Sequence, residues 1–144
     1  MARKIRCEAK EGSAVVEFLD YRDRNQLKDF YKIFKKASGA LVSEYVETPE
    51  MTVVRTDNVA DTVTIRWESV SGCNVRSGAG DAKALAGTVH KMLCYRYKGY
   101  GRLSETVAAA TGMEFPAPTK AGEADADAVE DVKELLAMVR QAAG

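Results

Sequence analysis

Residues 62–69 alternate without a break: Val63, Ile65 and Trp67 are apolar, while Thr62, Thr64, Arg66 and Glu68 are polar or charged. A period of two marks a strand with one wet face, because successive side chains on extended backbone point to opposite sides. Residues 4–11 repeat the pattern, with Ile5, Cys7 and Ala9 on one side and Lys4, Arg6, Glu8 and Lys10 on the other. Strands of this kind belong in an antiparallel sheet, one face packed and the other open to a ligand or a partner.

Around these two strands the remaining elements follow. Gly12-Ser13 turns the chain into a second strand over residues 14–21, and residues 40–47 and 51–55 give two more, separated by Thr48-Pro49-Glu50 and followed by a turn at Thr56-Asp57-Asn58. Asp23 opens a helix, with Gln26 at the reciprocal capping-box position. Leu27, Phe30, Tyr31, Phe34 and Ala37 recur at helical spacing, and Gly39 supplies a left-handed stop.

Residues 71–80, with three glycines and two serines, are expected to be a flexible loop ending at Asp81, the cap of the next helix. That helix covers 82 to about 98. Gly99 and Gly101 interrupt it, and a short helix over 103–111 closes at Gly112. Residues 113–126, with Pro116, Pro118 and Gly122, have linker composition. Asp127, with Glu130, caps a last helix over 127–144, whose stripe of Val129, Val132, Leu135, Leu136 and Val139 needs a cover, either the body or a second copy of the chain.

The expected fold is therefore α+β, in the order ββαβββααα: an antiparallel sheet of about five strands covered by helices. A body over 1–112 carries a linker over 113–126 and a C-terminal helix that favours a homodimer. The 144 residues, 46% hydrophobic and 29% charged, suit one globular domain of ordinary size. No apolar run approaches the roughly 18 residues a membrane span requires, and no basic-then-apolar leader opens the chain. Three scattered cysteines, an odd number, fit a reducing compartment, so a cytoplasmic location is expected.

Net charge is zero but unevenly spread. Residues 1–112 hold 18 Lys+Arg against 14 Asp+Glu, and residues 113–144 hold 3 against 7. A basic body with an acidic tail points to an anionic partner, or to a tail that folds back on the body or on a second subunit.

Enzymatic signatures are scarce. The chain has one histidine and contains no GxSxG, HExxH or Walker sequence. His90 and Cys94 share a helical face and could form a Cys-His pair or half of a zinc site, but Cys73 is the one further cysteine in reach and no CxxC occurs. Asp57, Asp61, Glu68 and Arg66 are close in sequence, which does not make them a site. The glycines of 71–80 lead into a helix N-terminus as phosphate cradles do, yet Asp81 occupies the anion's place and no lysine follows at the right spacing. Catalytic residues, metal and cofactor are accordingly expected to be none, and an enzyme is the less favoured reading.

The most informative stretch is 91–102. Lys91, Tyr95, Arg96, Tyr97, Lys98, Tyr100 and Arg102 interleave cations with phenol rings, and no acid occurs anywhere from 82 to 104. On a helical wheel Lys91, Tyr95 and Lys98 form a stripe, extended by Arg102 if the helix continues. Arg96 falls on the apolar side with Leu85, Val89 and Met92, where a buried guanidinium demands a partner. Helix one adds a second basic face, with six Lys+Arg from Arg22 to Lys36 against Asp23 and Asp29.

Rings beside cations suit ligands that combine a flat base with phosphate. The expected function is non-enzymatic binding or sequestration of a nucleotide or nucleic acid. Tyr95 and Tyr97 would stack, while Lys91, Arg96, Lys98 and Arg102 would neutralise charge, with Arg66 on the sheet side. The alternative is a protein-binding inhibitor or adaptor, of the compact kind that viruses and mobile elements direct against host machinery, using the open sheet face and the acidic tail.

Overall fold

A computed structural model describes residues 3–56, 63–116 and 125–143. The turn expected at 56–58, the carboxylates of Asp57 and Asp61, Thr62 and the middle of the 113–126 segment lie wholly or partly outside these residues. The elements are β1 (Ile5–Lys10), β2 (Ser13–Phe18), α1 (Leu27–Ser38), β3 (Val42–Thr48), β4 (Met51–Thr56), β5 (Val63–Glu68), β6 (Gly72–Gly78), α2 (Ala82–Arg96), α3 (Ser104–Thr111) and α4 (Ala126–Ala143). All the strands pair antiparallel in one sheet of order β1-β2-β6-β5-β4-β3.

The fold class is as the alternation predicts, with six strands instead of about five. The extra one, β6, occupies the stretch expected to be a flexible loop, and it lies in the middle of the sheet between β2 and β5. Its period of two was hidden by small and polar residues. Cys73, Val75 and Ser77 face the helices, while Asn74 and Arg76 face away. Gly72 opens the strand at φ +72°, and a Cβ there would stand 2.8 Å from the Tyr21 carbonyl oxygen. That same oxygen accepts the amide of Cys73 at 2.7 Å. Only glycine fits this approach.

Helix boundaries show where local signals hold and where they do not. Asp23 and Gln26 form the expected capping box around a 3-10 turn that leads into α1, and Gly39 ends α1 at φ 74°. Asp81 makes no side-chain cap to α2. The cap of α4 is Asp125 and not Asp127: its side chain takes the Asp127 amide at 2.9 Å and its carbonyl takes the Val129 amide at 3.1 Å. The cap sits there because Asp125 is the residue whose carboxylate and carbonyl both face the first turn.

One face of the sheet carries the helices. α1 packs on β5, α2 on β2, β5 and β6, and α4 on β1 and β2. Ile5, Val16, Phe18, Ile65 and Val75 from the sheet meet Phe30, Phe34, Leu85, Val89, Leu93 and Leu135 from the helices in one core. Of the apolar stripe of α4, Val132, Leu135 and Val139 are buried within the chain, and Val129 and Leu136 are half-buried. Met113 and Phe115, at the start of the expected linker, lie against Gly87 and His90 of α2.

The opposite face of the sheet is polar, as the alternation implies. Arg66, Glu68, Asn74 and Arg76 form a half-buried network there: Arg76 pairs with Glu68 and donates from Nε to Asn74 at 3.2 Å, and Arg66 stands 3.8 Å from Glu68. Burial and the neighbouring Arg66 hold the Arg76 guanidinium below its ordinary pKa.

Candidate functional site

The 91–102 run is divided by the place where α2 ends. Tyr97 leaves the helix in extended backbone, at φ −130° and ψ 141°, and Lys98–Leu103 forms a 3-10 segment through Gly99 and Gly101. The stripe of Lys91, Tyr95 and Lys98 therefore stops at Tyr95, because the helical period it depends on ends one residue later. Arg96 is exposed and not buried, since the last turn runs past the core that covers Leu85, Val89 and Met92. Its Nε donates to the Tyr21 hydroxyl at 3.1 Å, and its guanidinium lies 5.0 Å from the Tyr97 ring centre.

Tyr97 and Tyr100 turn inward and are tied to aspartates. The Tyr97 hydroxyl donates to Asp20 at 2.6 Å, with Lys4 3.4 Å from the same carboxylate and 5.0 Å from the ring. The Tyr100 hydroxyl donates to Asp131. Burial first, and then the hydrogen bond to each aspartate, pushes both phenols above their ordinary pKa. Their rings lie 5.9 Å apart, packed on each other and not presented as a stacking platform. Beside them a hollow of about 240 Å3 is lined by Lys4, Lys98 and Tyr97 but also by Asp125 and Asp127, so it offers no net positive field. Lys98 and Arg102 are exposed on the 3-10 segment.

Arg66 does not join this group. It stands on the open face of the sheet, with the sheet itself between its side chain and α2. The period of two that identified β5 also decides this, because Arg66 alternates with Ile65, which packs toward the helices.

The His90–Cys94 pair forms as a contact, with Cys94 Sγ 3.6 Å from His90 Nδ1 and 3.7 Å from Ser104 Oγ. Its chemistry is the reverse of a nucleophile pair. Burial lowers His90 to about 4, against the hydrogen bond that the ring donates to the Tyr100 backbone, and burial raises the Cys94 thiol. Both stay neutral near pH 7, so no thiolate forms. Cys73 lies fully buried on β6 and its thiol is pushed to about 12 by burial. Among the described residues no three metal-ligating side chains gather. The glycine-rich stretch considered as a phosphate cradle is β6, whose amides are used in the sheet.

What the fold does assemble is a surface across α1 and α2. The Lys36 ammonium lies 5.5 Å over the ring of Tyr95, which is 46% exposed. One turn back, Lys32 and Arg96 line a single cleft of about 430 Å3 between the helices, together with Asp20 and Asp29. Lys91 stands 5.8 Å over Phe115 at the far side of α2. The residues missed from sequence are thus Lys32 and Lys36 as neighbours of Tyr95 and Arg96. Their four-residue spacing was visible, but which helix they face was not. Comparison with models of known families, with curated proteins and with solved structures finds no match, so the surface itself carries the functional argument.

Proposed function

We propose that this chain is a non-catalytic binding protein for a phosphate-bearing polymer, with a single nucleic-acid strand lying across α1 and the C-terminal half of α2. The observation that carries the reading is the contact of Lys36 with Tyr95, which joins the basic face of one helix to the acid-free face of the other. Lys32, Lys35 and Lys36 supply cations from α1, and Arg96 supplies one from α2, with Asp29 the one acid on α1. Tyr95 is the exposed ring on which a base stacks.

An extended ligand suits this geometry better than a mononucleotide. A free nucleotide needs a concave site that surrounds it, and the hollows nearest the run place Asp20 and Asp29, or Asp125 and Asp127, beside the cations. A polymer needs only a row of charges at backbone spacing, since releasing its condensed counterions provides the affinity.

Fluorescence anisotropy with a labelled single-stranded oligonucleotide at two salt concentrations tests the reading. Binding is expected to weaken steeply with salt, with a slope of about −0.7 per phosphate contacted. Lys36→Glu together with Lys32→Glu is expected to abolish it at the higher salt. Binding absent at low salt, or insensitive to salt, overturns the reading.

A further inference from the structure

The two edges of the sheet are finished differently. Along β1 the edge is closed by α4, whose Asp131 and Glu134 carboxylates accept the backbone amides of Lys4 at 3.0 Å and Cys7 at 2.8 Å. Along β3, at the other end of the strand order, no described element pairs with the outer edge. An unpaired row of N–H and C=O groups is a template for a further strand. Apolar side chains collect at the same place: of the five exposed large hydrophobic residues described, Leu41, Tyr45 and Val46, at 52%, 42% and 38% exposure, belong to β3 or precede it.

On the helix side of β3 a groove of about 570 Å3 runs between the strand and the first turns of α1, lined by Arg24, Leu27, Lys28, Tyr45 and Glu47. Its charge is net positive, with Arg24 and Lys28 against the single acid Glu47. Arg24 lies 4.2 Å over the Trp67 ring and donates to the Thr48 carbonyl, its Nε has no acceptor, and among the described residues neither Arg24 nor Lys28 has a carboxylate within ion-pair distance.

We propose that the β3 edge and this groove receive an extended segment of another protein as a seventh strand, with an acidic side chain of that segment directed at Arg24 and Lys28. Strand geometry sets the rest of the pattern. Residues on either side of the acid point to the opposite face, where an apolar one meets Val46. A helix would leave the edge amides unpaired. A second copy of β3 would add two more glutamates, Glu44 and Glu47, to the seam and no cation, since the strand carries no lysine or arginine. The surface uses residues distinct from those of the α1/α2 basic face and stands or falls without it.

The test pans the full chain against a display library of random linear peptides and measures the enriched sequences by titration. Enriched peptides are expected to alternate apolar residues with one acid at a fixed position. Affinity is expected to fall at least about tenfold on N-methylating alternate peptide amides, on changing the peptide's acid to its amide, and on Lys28→Glu in the protein. Lys28 is exposed, and circular dichroism verifies that this variant folds. The proposal is overturned if N-methylation lowers affinity at neither set of alternate amides, if Lys28→Glu has no effect, or if nothing is enriched over a Tyr45→Asp control. It is equally overturned if sedimentation shows a dimer that Val46→Lys dissociates, since the occupant is then a second copy.

Discussion

The Tyr100 hydroxyl donates to the carboxylate of Asp131, a side chain with no solvent exposure, and so links the 3-10 segment after α2 to the first turns of α4. The same carboxylate accepts from Arg3 Nε at 3.0 Å and from the Lys4 amide at 3.0 Å. One acid thus holds three separate parts of the chain, and it belongs to the helix that closes the β1 edge.

Removing that acid leaves a buried phenol and an edge amide without an acceptor. Asp131→Ala is expected to cost about 3 kcal/mol, and Tyr100→Phe about 1 kcal/mol because Asp131 keeps its other donors. Urea denaturation measures both. Hydrogen exchange at Lys4 and Cys7 should accelerate in Asp131→Ala, since α4 then releases the edge.

His90 predicts a pH dependence of stability. Its folded pKa of about 4 lies below the ordinary 6.5 because burial disfavours the imidazolium. Between these values the unfolded chain binds a proton that the folded chain refuses, so this contribution is complete above pH 6.5 and is lost as pH falls toward 4. The loss approaches about 3 kcal/mol. As the one histidine in the sequence, it can be isolated cleanly: urea midpoints measured from pH 7.5 to 4.5 should fall in the native chain and fall less in His90→Gln.

Gly72 and Gly39 both have positive φ but differ in surroundings. At Gly39 nothing lies within 4 Å of an added Cβ, whereas at Gly72 the Tyr21 carbonyl oxygen lies at 2.8 Å and Arg22 Cα at 2.9 Å. Gly39→Ala is expected to cost about 1 kcal/mol, the ordinary left-handed penalty. Gly72→Ala should cost more than twice as much, because backbone must move in the middle strand pair. Thermal melts of the two variants check the ratio.

Arg66 separates the sheet face from the helix face. Arg66→Ala is expected to leave oligonucleotide affinity within about twofold, while Lys36→Glu lowers it by about tenfold or more at moderate salt. Anisotropy titrations on the two variants decide it. An equal loss in both would place the strand on the sheet.

Much of the fold can be read from short windows. The alternation in 4–11 and 62–69 marks β1 and β5, the capping box and Gly39 delimit α1, and the apolar spacing marks α4, because each of these signals is a period set by backbone geometry over a few residues. β6 escaped because its inward positions are Cys73, Val75 and Ser77, of which only Val75 carries a large apolar side chain. The candidate surface was half legible. The acid-free run is a property of the sequence, but its partners are not.

Tertiary structure decided those partners. Arg96 meets Tyr21, 75 residues away, and Lys4 meets Asp131 at a separation of 127. It also put Arg66 on the face opposite α2 and buried Val132, Leu135 and Val139 of the α4 stripe within the chain. Periodicity dictates which side of an element is buried, through the local rise and turn of the backbone. What that side is buried against depends on the collective packing of one core, where distant segments compete for the same apolar surface and the entropy of closing the chain is offset only when all of them are in place.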